Sequence, residues 1–175
     1  NKYHKAPTVA KWQRNQLRTL FGSTNVDRAI SNVYGLPLSN TLLVAVRRRD
    51  SVAQAVSLWL SLATNRWHSA WTANRPIPPY DETEAVKVYT YLASYCKWYD
   101  TELPERAVQL WYEDLANDPV TELARVSHEL GLARWRTVST EHDRFDTDVK
   151  YGYAMRLRAD LERRKIKLYN HNDSQ

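Results

Sequence analysis

The chain has 175 residues and a formal net charge of +5, which suits one domain. Its four glycines (Gly22, Gly35, Gly131 and Gly152) lie far apart, which excludes a dinucleotide-binding G-x-G-x-x-G motif and a glycine-rich phosphate loop within these residues. A single Cys, Cys96, excludes an internal disulfide and a Cys-based zinc site. Because the sequence has neither a long apolar run nor a signal-peptide pattern, we expect a cytoplasmic protein without a transmembrane segment.

Apolar periodicity and turn residues predict helices that alternate with short strands. In chain order, helices are expected over residues 9–20, 26–33, 51–65, 81–99, 119–131 and 152–168. A buried apolar strand is expected over 41–46 and a second strand over 107–112, while 133–148 is expected to be irregular and 170–175 to be a frayed tail. This order predicts an α/β fold, a small parallel sheet flanked by helices, within a single domain covering residues 1–175.

The first candidate site follows the first predicted strand, where the sequence reads Arg47-Arg48-Arg49-Asp50. Ligands of parallel sheets bind beyond the carboxyl ends of the strands, and the N–H groups of a following helix favour an anion. Ser51 and Gln54 are expected to form a capping box, and Ser57 could converge with an arginine on one phosphate. The alternative is a solvated basic loop and a serine buried in the helix, and the spacing alone favours neither.

The second candidate site follows the second predicted strand and reads Trp111-Tyr112-Glu113-Asp114-Leu115. A Tyr at a strand end can stack on an aromatic base, and Glu113 and Asp114 could position a loop or act as acid and base. The alternative is an ordinary strand-to-helix turn, followed by Asp118 as N-cap and Pro119 at the first helical position.

The long connection 66–79 contains Arg66, Trp67, His68 and Trp71. Long loops are often functional, and Trp and His side chains suit a sugar-like or aromatic ligand. From loop position alone, Trp67, His68, Trp71 and Tyr80 are expected to border a substrate. A lone His is more often structural than catalytic.

Arginine makes up 17 of the 25 basic residues, and this skew mildly favours an anionic ligand. The last predicted helix carries six basic side chains: Arg156, Arg158, Arg163, Arg164, Lys165 and Lys167. Such a helix can face nucleic acid or acidic lipid, although a solvated surface is more common. A basic anion- or nucleic-acid-binding module is therefore an alternative, but no recognisable nucleic-acid motif is present and nucleic acid is not the expected partner.

Taken in order, these segments resemble the bacterial trehalose 2-sulfotransferase family, whose fold is sulfotransferase-like and related to P-loop NTPases. The resemblance covers the chain from about Leu42 onward and more weakly from Val9. It rests on four stretches: LLVAVRRRDSVAQAVSLW (42–59), TNRW (64–67), LWYEDLANDP (110–119) ahead of Leu130-Gly131, and RLRAD (156–160).

The resemblance implies transfer of a sulfuryl group from 3′-phosphoadenosine 5′-phosphosulfate to a hydroxyl of a carbohydrate or glycolipid-like acceptor, without a metal. By carry-over, Arg48 and Ser57 hold the 3′-phosphate of this donor, and Arg49 replaces Arg48 if the register is shifted by one residue. Tyr112 lies near the adenine end, and Arg144 corresponds to a further phosphate contact. The residues around Arg144 depart from the family pattern.

The family's N-terminal strand and its phosphosulfate loop are not found in these 175 residues. We therefore expect the chain to be the C-terminal part of a family member, and no catalytic base is assigned. An inactive remnant that forms a homodimer through Trp-rich surfaces is a further alternative.

Overall fold

The structure is a computed structural model that describes residues 41–67, 76–132 and 147–169, together with residues 25, 26, 28 and 31. The chain divides into two compact units, Asn1–Leu42 and Leu43–Gln175. In the first unit, Val26, Arg28 and Ser31 are helical, as predicted for 26–33. The predicted helix 9–20 and the tail 170–175 lie outside the described residues, and the single domain stays a prediction.

In the second unit, the described residues form two strands and five helices. The strands are β1 (Val44–Arg47) and β2 (Val108–Trp111), and the helices are α1 (Ser51–Thr64), α2 (Glu82–Glu102), α3 (Tyr112–Asn117), α4 (Pro119–Glu129) and α5 (Thr147–Arg163). None of these helices is long and apolar enough to cross a membrane.

The two strands pair in parallel, with Val44 opposite Val108 and Arg47 opposite Trp111. The predicted α/β architecture with a small parallel sheet is therefore confirmed. Because the strands are parallel and in this register, their carboxyl ends meet at the same edge. The segments that follow, 48–50 and 112–114, are thereby brought side by side.

The main core lies between α1, α2 and α5, each of which contributes one apolar stripe. Full burial of a Val or Leu side chain stabilises a fold by about 1.5–3 kcal/mol. The largest side chains with less than 2 % exposure are Val56, Leu60, Thr64, Tyr89, Leu157 and Leu161. This packing holds the start of α1 in place just after β1.

The sheet is covered unevenly, and the prediction of a buried strand at 41–46 was wrong in this respect. Val108 and Leu110 of β2 pack against Val126 of α4. Val44 and Val46, on the same face of β1, are 41 % and 56 % exposed, because α4 packs over β2.

Aspartate side chains cap the starts of α1, α2 and α4. Asp118 caps α4 ahead of Pro119, as predicted, by accepting from Thr121 N at 3.1 Å. The cap of α2 is Asp81, at the predicted start of that helix. The capping box at Ser51 and Gln54 was wrong, because the Oδ1 atom of Asp50 caps α1 and accepts from Ala53 N at 2.9 Å.

Three helices are followed by a residue with left-handed backbone: Asn65 after α1, Gly131 after α4 and Lys165 after α5. Gly131 follows α4 with φ +65°, a conformation that costs glycine little, so the predicted end of this helix is confirmed. The last helix, α5, begins at Thr147 and ends at Arg163. Both of its ends therefore lie earlier in the chain than the predicted range 152–168. Ala154, Leu157 and Leu161 anchor it to the core, and Lys165 turns the chain with φ 56°.

Candidate functional site

The three arginines that follow one another at the end of β1 have different partners. Arg47 forms an ion pair with Asp100 of α2. Arg49 donates two hydrogen bonds to the carboxylate of Asp114, from Nη1 to Oδ1 at 2.6 Å and from Nη2 to Oδ2 at 2.7 Å. The guanidinium carbon of Arg48 lies 4.4 Å from the ring centroid of Tyr112. The side chains of this basic run are therefore sorted onto three different partners, Asp100, Tyr112 and Asp114.

Strand alternation explains this sorting. Successive side chains of an extended segment point to opposite faces, so Arg47 and Arg49 share a face. Their guanidinium carbons lie 5.3 Å and 4.9 Å from the ring centroid of Trp111, the register partner of Arg47. Arg48 lies on the other face, together with Tyr112.

Glu113 holds the backbone of the arginine loop, residues 48–50. Its carboxylate accepts from Arg49 N at 3.1 Å and from Asp50 N at 3.3 Å. The N–H group of Ala53 is already bound by the cap at Asp50. The N–H groups of Arg49, Asp50 and Ala53 therefore donate to carboxylates of the chain itself. In this structure these three donors are not directed at an anion.

Ser57 lies in the second turn of α1 and is half-buried, outside the fully buried stripe of that helix. The cap of the same helix is tied to α5, since Arg158 Nη2 donates to Asp50 Oδ2 at 2.7 Å. The structure thus brings Arg48 and Tyr112 into contact and places Ser57 on the helix that begins at the arginine loop.

A family model described as Stf0 sulphotransferase matches residues 9–160. This chain belongs to the Stf0 sulphotransferase family. The resemblance to trehalose 2-sulfotransferases is thereby confirmed, and sulfuryl transfer is the activity of the family to which the chain belongs. A comparison with curated proteins finds no match, and a comparison with solved structures finds none either.

In this Stf0 sulphotransferase chain, the Arg49–Asp114 contact shifts the pKa of both partners. The Arg49 guanidinium holds the pKa of the Asp114 carboxyl below its usual range, mainly through their hydrogen bonds. In return, Asp114 raises the pKa of Arg49. Both pKa shifts favour the charged forms of the pair. In the structure the Arg49 guanidinium lies on Asp114, whereas the Arg48 guanidinium lies on Tyr112.

The residues expected near the acceptor are only partly described. Trp67, just beyond the end of α1, is 48 % exposed. Tyr80 packs against Trp59 and Tyr153, with ring centroids 5.8 Å and 5.5 Å away. Its hydroxyl donates to Asp160 at 2.7 Å, so in the described structure Tyr80 joins α1 to α5. His68, Trp71 and Arg144 lie outside the described residues.

Sequence reasoning did not predict two ion pairs that shape this edge. Asp100 is 53 positions away from its partner Arg47, and Arg158 is 108 positions away from its partner Asp50. Arg158 was noted only in the basic last helix and the RLRAD stretch, and no local pattern links either residue to its partner. In the described parts of the chain, no three His, Cys, Asp or Glu side chains come together as metal ligands would.

Proposed function

We propose that this chain takes part in transferring a sulfuryl group from 3′-phosphoadenosine 5′-phosphosulfate to a hydroxyl of a carbohydrate or glycolipid-like acceptor. In this proposal, the edge beyond β1 and β2 holds the nucleotide end of the donor. The observation that carries it is the contact of Arg48 with Tyr112 at the carboxyl edge of a parallel sheet, where ligands of such sheets bind.

The residues at this edge fit the adenosine 3′-phosphate part of the donor. A guanidinium binds phosphate by two parallel hydrogen bonds, and a tyrosine ring can stack on a base. The Tyr112 residue is 42 % exposed and the Arg48 side chain 26 % exposed, so both are accessible. Arg49 is the weaker candidate because its guanidinium already donates two hydrogen bonds to the carboxylate of Asp114.

Each residue then has a defined part in binding. Arg48 donates to the 3′-phosphate, Ser57 adds a hydroxyl donor from α1, and Tyr112 contacts the adenine. The bound donor supplies the activated sulfuryl group, while these side chains fix the position of the nucleotide, which lowers the barrier by orientation. Trp67 remains the described candidate on the acceptor side.

The binding proposal is tested by calorimetric titration with adenosine 3′,5′-bisphosphate and with adenosine 5′-monophosphate, which lacks the 3′-phosphate. We expect at least tenfold tighter binding of the bisphosphate, because charge-assisted hydrogen bonds contribute about 1.5–3 kcal/mol. Arg48→Ala should remove this preference and Ser57→Ala should reduce it. Arg106→Ala, an exposed arginine ahead of β2, is the matched control. Equal binding of both nucleotides would contradict the proposal.

Transfer itself is tested separately, by incubating the chain with donor labelled in the sulfuryl group and a panel of sugars and glycolipids. Formation of a labelled sugar or glycolipid would support sulfuryl transfer by this chain. Bisphosphate binding without any labelled product favours the inactive remnant. A homodimer and a cytoplasmic location stay predictions.

The alternative of a nucleic-acid-binding module rests on the basic surface, with a sequence pI of about 9.3. Ion pairs on α5 weigh against it. Arg163 and Arg164 contact Glu82 at 2.9 Å and 2.7 Å, and Arg158 contacts Asp50. Binding to duplex DNA that weakens steeply with salt would favour this alternative, whereas we expect no such binding.

A further inference from the structure

We propose that Glu113 is a positioning residue that orients Arg48 for the nucleotide phosphate by anchoring the backbone of residues 49 and 50. The inference rests on the proposed function, since it assigns a role within the same site. It concerns a residue that carries negative charge and therefore does not itself bind a phosphate.

The first support is the way the Glu113 carboxylate is bound. Both of its oxygens lie 3.1 Å from Arg49 N, and Oε1 is also 3.3 Å from Asp50 N. A carboxylate that bridges two successive N–H groups restricts the peptide planes of that turn. The peptide plane that contains Arg49 N also contains the carbonyl group of Arg48. Restricting this plane therefore restricts the backbone of Arg48 and the direction in which its side chain leaves the main chain.

The second support is the neighbouring position of Tyr112. Tyr112 and Glu113 are the first two residues of α3. The Tyr112 ring contacts the guanidinium of Arg48, while Glu113 holds the backbone just after it. One short helix start therefore fixes Arg48 at both its side chain and its main chain.

Glu113 also forms an ion pair with the Arg48 side chain. Glu113 Oε1 lies 3.8 Å from Arg48 Nε, which is beyond hydrogen-bond distance. The hydrogen bonds of Glu113 to the loop are made to the main chain instead. This geometry also weighs against the acid–base role considered for Glu113 from the sequence, because its oxygens are engaged by backbone donors.

The test is a double-mutant cycle on the full chain. Affinities for adenosine 3′,5′-bisphosphate and adenosine 5′-monophosphate are measured for wild type, Glu113→Ala, Arg48→Ala and the double variant. We expect Glu113→Ala to weaken bisphosphate binding about tenfold, a loss typical of hydrogen bonds to a charged group, and to leave the monophosphate affinity within about twofold. If Glu113 acts through Arg48, adding Glu113→Ala to Arg48→Ala costs nothing further.

Two companion variants distinguish positioning from a general loss of structure. Glu113→Gln keeps a side-chain carbonyl that can accept from Arg49 N, and it should recover part of the lost affinity. Glu84→Ala removes a glutamate whose side chain pairs with Lys87 on its own helix α2, and it should bind like wild type. Additive losses in the cycle, or equal losses for both nucleotides, would overturn the inference.

Amide hydrogen exchange tests the anchor without any nucleotide. The amides of Arg49 and Asp50 should exchange at least tenfold faster in Glu113→Ala, whereas those of α2 and α5 should not change. If wild type binds neither nucleotide but these two amides respond, the proposed nucleotide site fails and the anchor stands alone. Unchanged exchange at both amides would overturn the inference whatever the nucleotides do.

Discussion

Two regions of the molecule are held together by different physics. Where α1, α2 and α5 meet, the contacts are apolar and include side chains such as Leu157 and Leu161 with 0 % exposure. At the edge beyond β1 and β2, the contacts are ionic or aromatic, and Arg49 and Asp114 remain 49 % and 43 % exposed. The core fixes the position of the edge, and the contacts at the edge fix the orientation of each arginine side chain.

This difference separates stability from binding. Burial of apolar area contributes most of the free energy of folding, whereas exposed ion pairs contribute little. Substitutions in the core should therefore destabilise the chain, and substitutions at the edge should mainly change affinity for a nucleotide.

The largest effect is expected in the core. Leu157→Ala should lower the free energy of unfolding by about 2–5 kcal/mol, because it leaves a cavity in a closely packed site. Urea denaturation followed by circular dichroism measures this loss. Tyr151→Ala on the same helix, at a residue that is 69 % exposed, is the control and should change stability by less than about 0.5 kcal/mol. Similar losses for both variants would mean that α5 does not pack as described.

An intermediate effect is expected from the aromatic ring at the edge. Tyr112→Leu should weaken bisphosphate binding about tenfold, since a stacked base contributes about 1–3 kcal/mol, while stability changes little. Calorimetry and urea denaturation give the two quantities. Tyr91→Leu, on α2 where Tyr91 is 49 % exposed, is the matched control. Wild-type affinity in Tyr112→Leu would remove the ring from the site.

The smallest effect concerns acid. The pKa of Asp114 is lowered by its hydrogen bonds with Arg49. A carboxyl whose pKa is lower in the folded state stabilises that state above its unfolded pKa of about 4, and this contribution is lost as pH falls through the folded pKa. Asp114→Asn should therefore flatten the loss of stability below about pH 4, as measured by urea denaturation. Arg49→Ala should reduce the pH dependence of stability equally. An unchanged slope in either variant would contradict the stabilising Arg49–Asp114 ion pair.

Much of the architecture could be predicted from the sequence. The apolar run ending at Val46, the Asp118-Pro119 start of α4 and the glycine after it are local signals, and local signals gave the α/β order. The burial of β1 was mispredicted, because it depends on what packs over each strand, and α4 packs over β2.

The site was predictable in part. The family resemblance assigned Arg48 and Tyr112 to one donor site, and the structure brings the two side chains into contact. Which arginine pairs with which carboxylate could not be predicted, because Arg49 and Asp114 are 65 positions apart in the sequence. The cap at Asp50 was missed because the sequence offers Ser51 with Gln54 as an equally ordinary signal.

The central claim is that a nucleotide binds at the edge beyond β1 and β2, between Arg48, Ser57 and Tyr112. The most direct measurement is an NMR titration with adenosine 3′,5′-bisphosphate that follows backbone amides and arginine Nε–H groups together. We expect the largest chemical-shift changes at Arg48, Ser57 and Tyr112, saturating with a single affinity. Largest changes at Arg163, Arg164, Lys165 and Lys167, with the arginine loop unchanged, would contradict the claim.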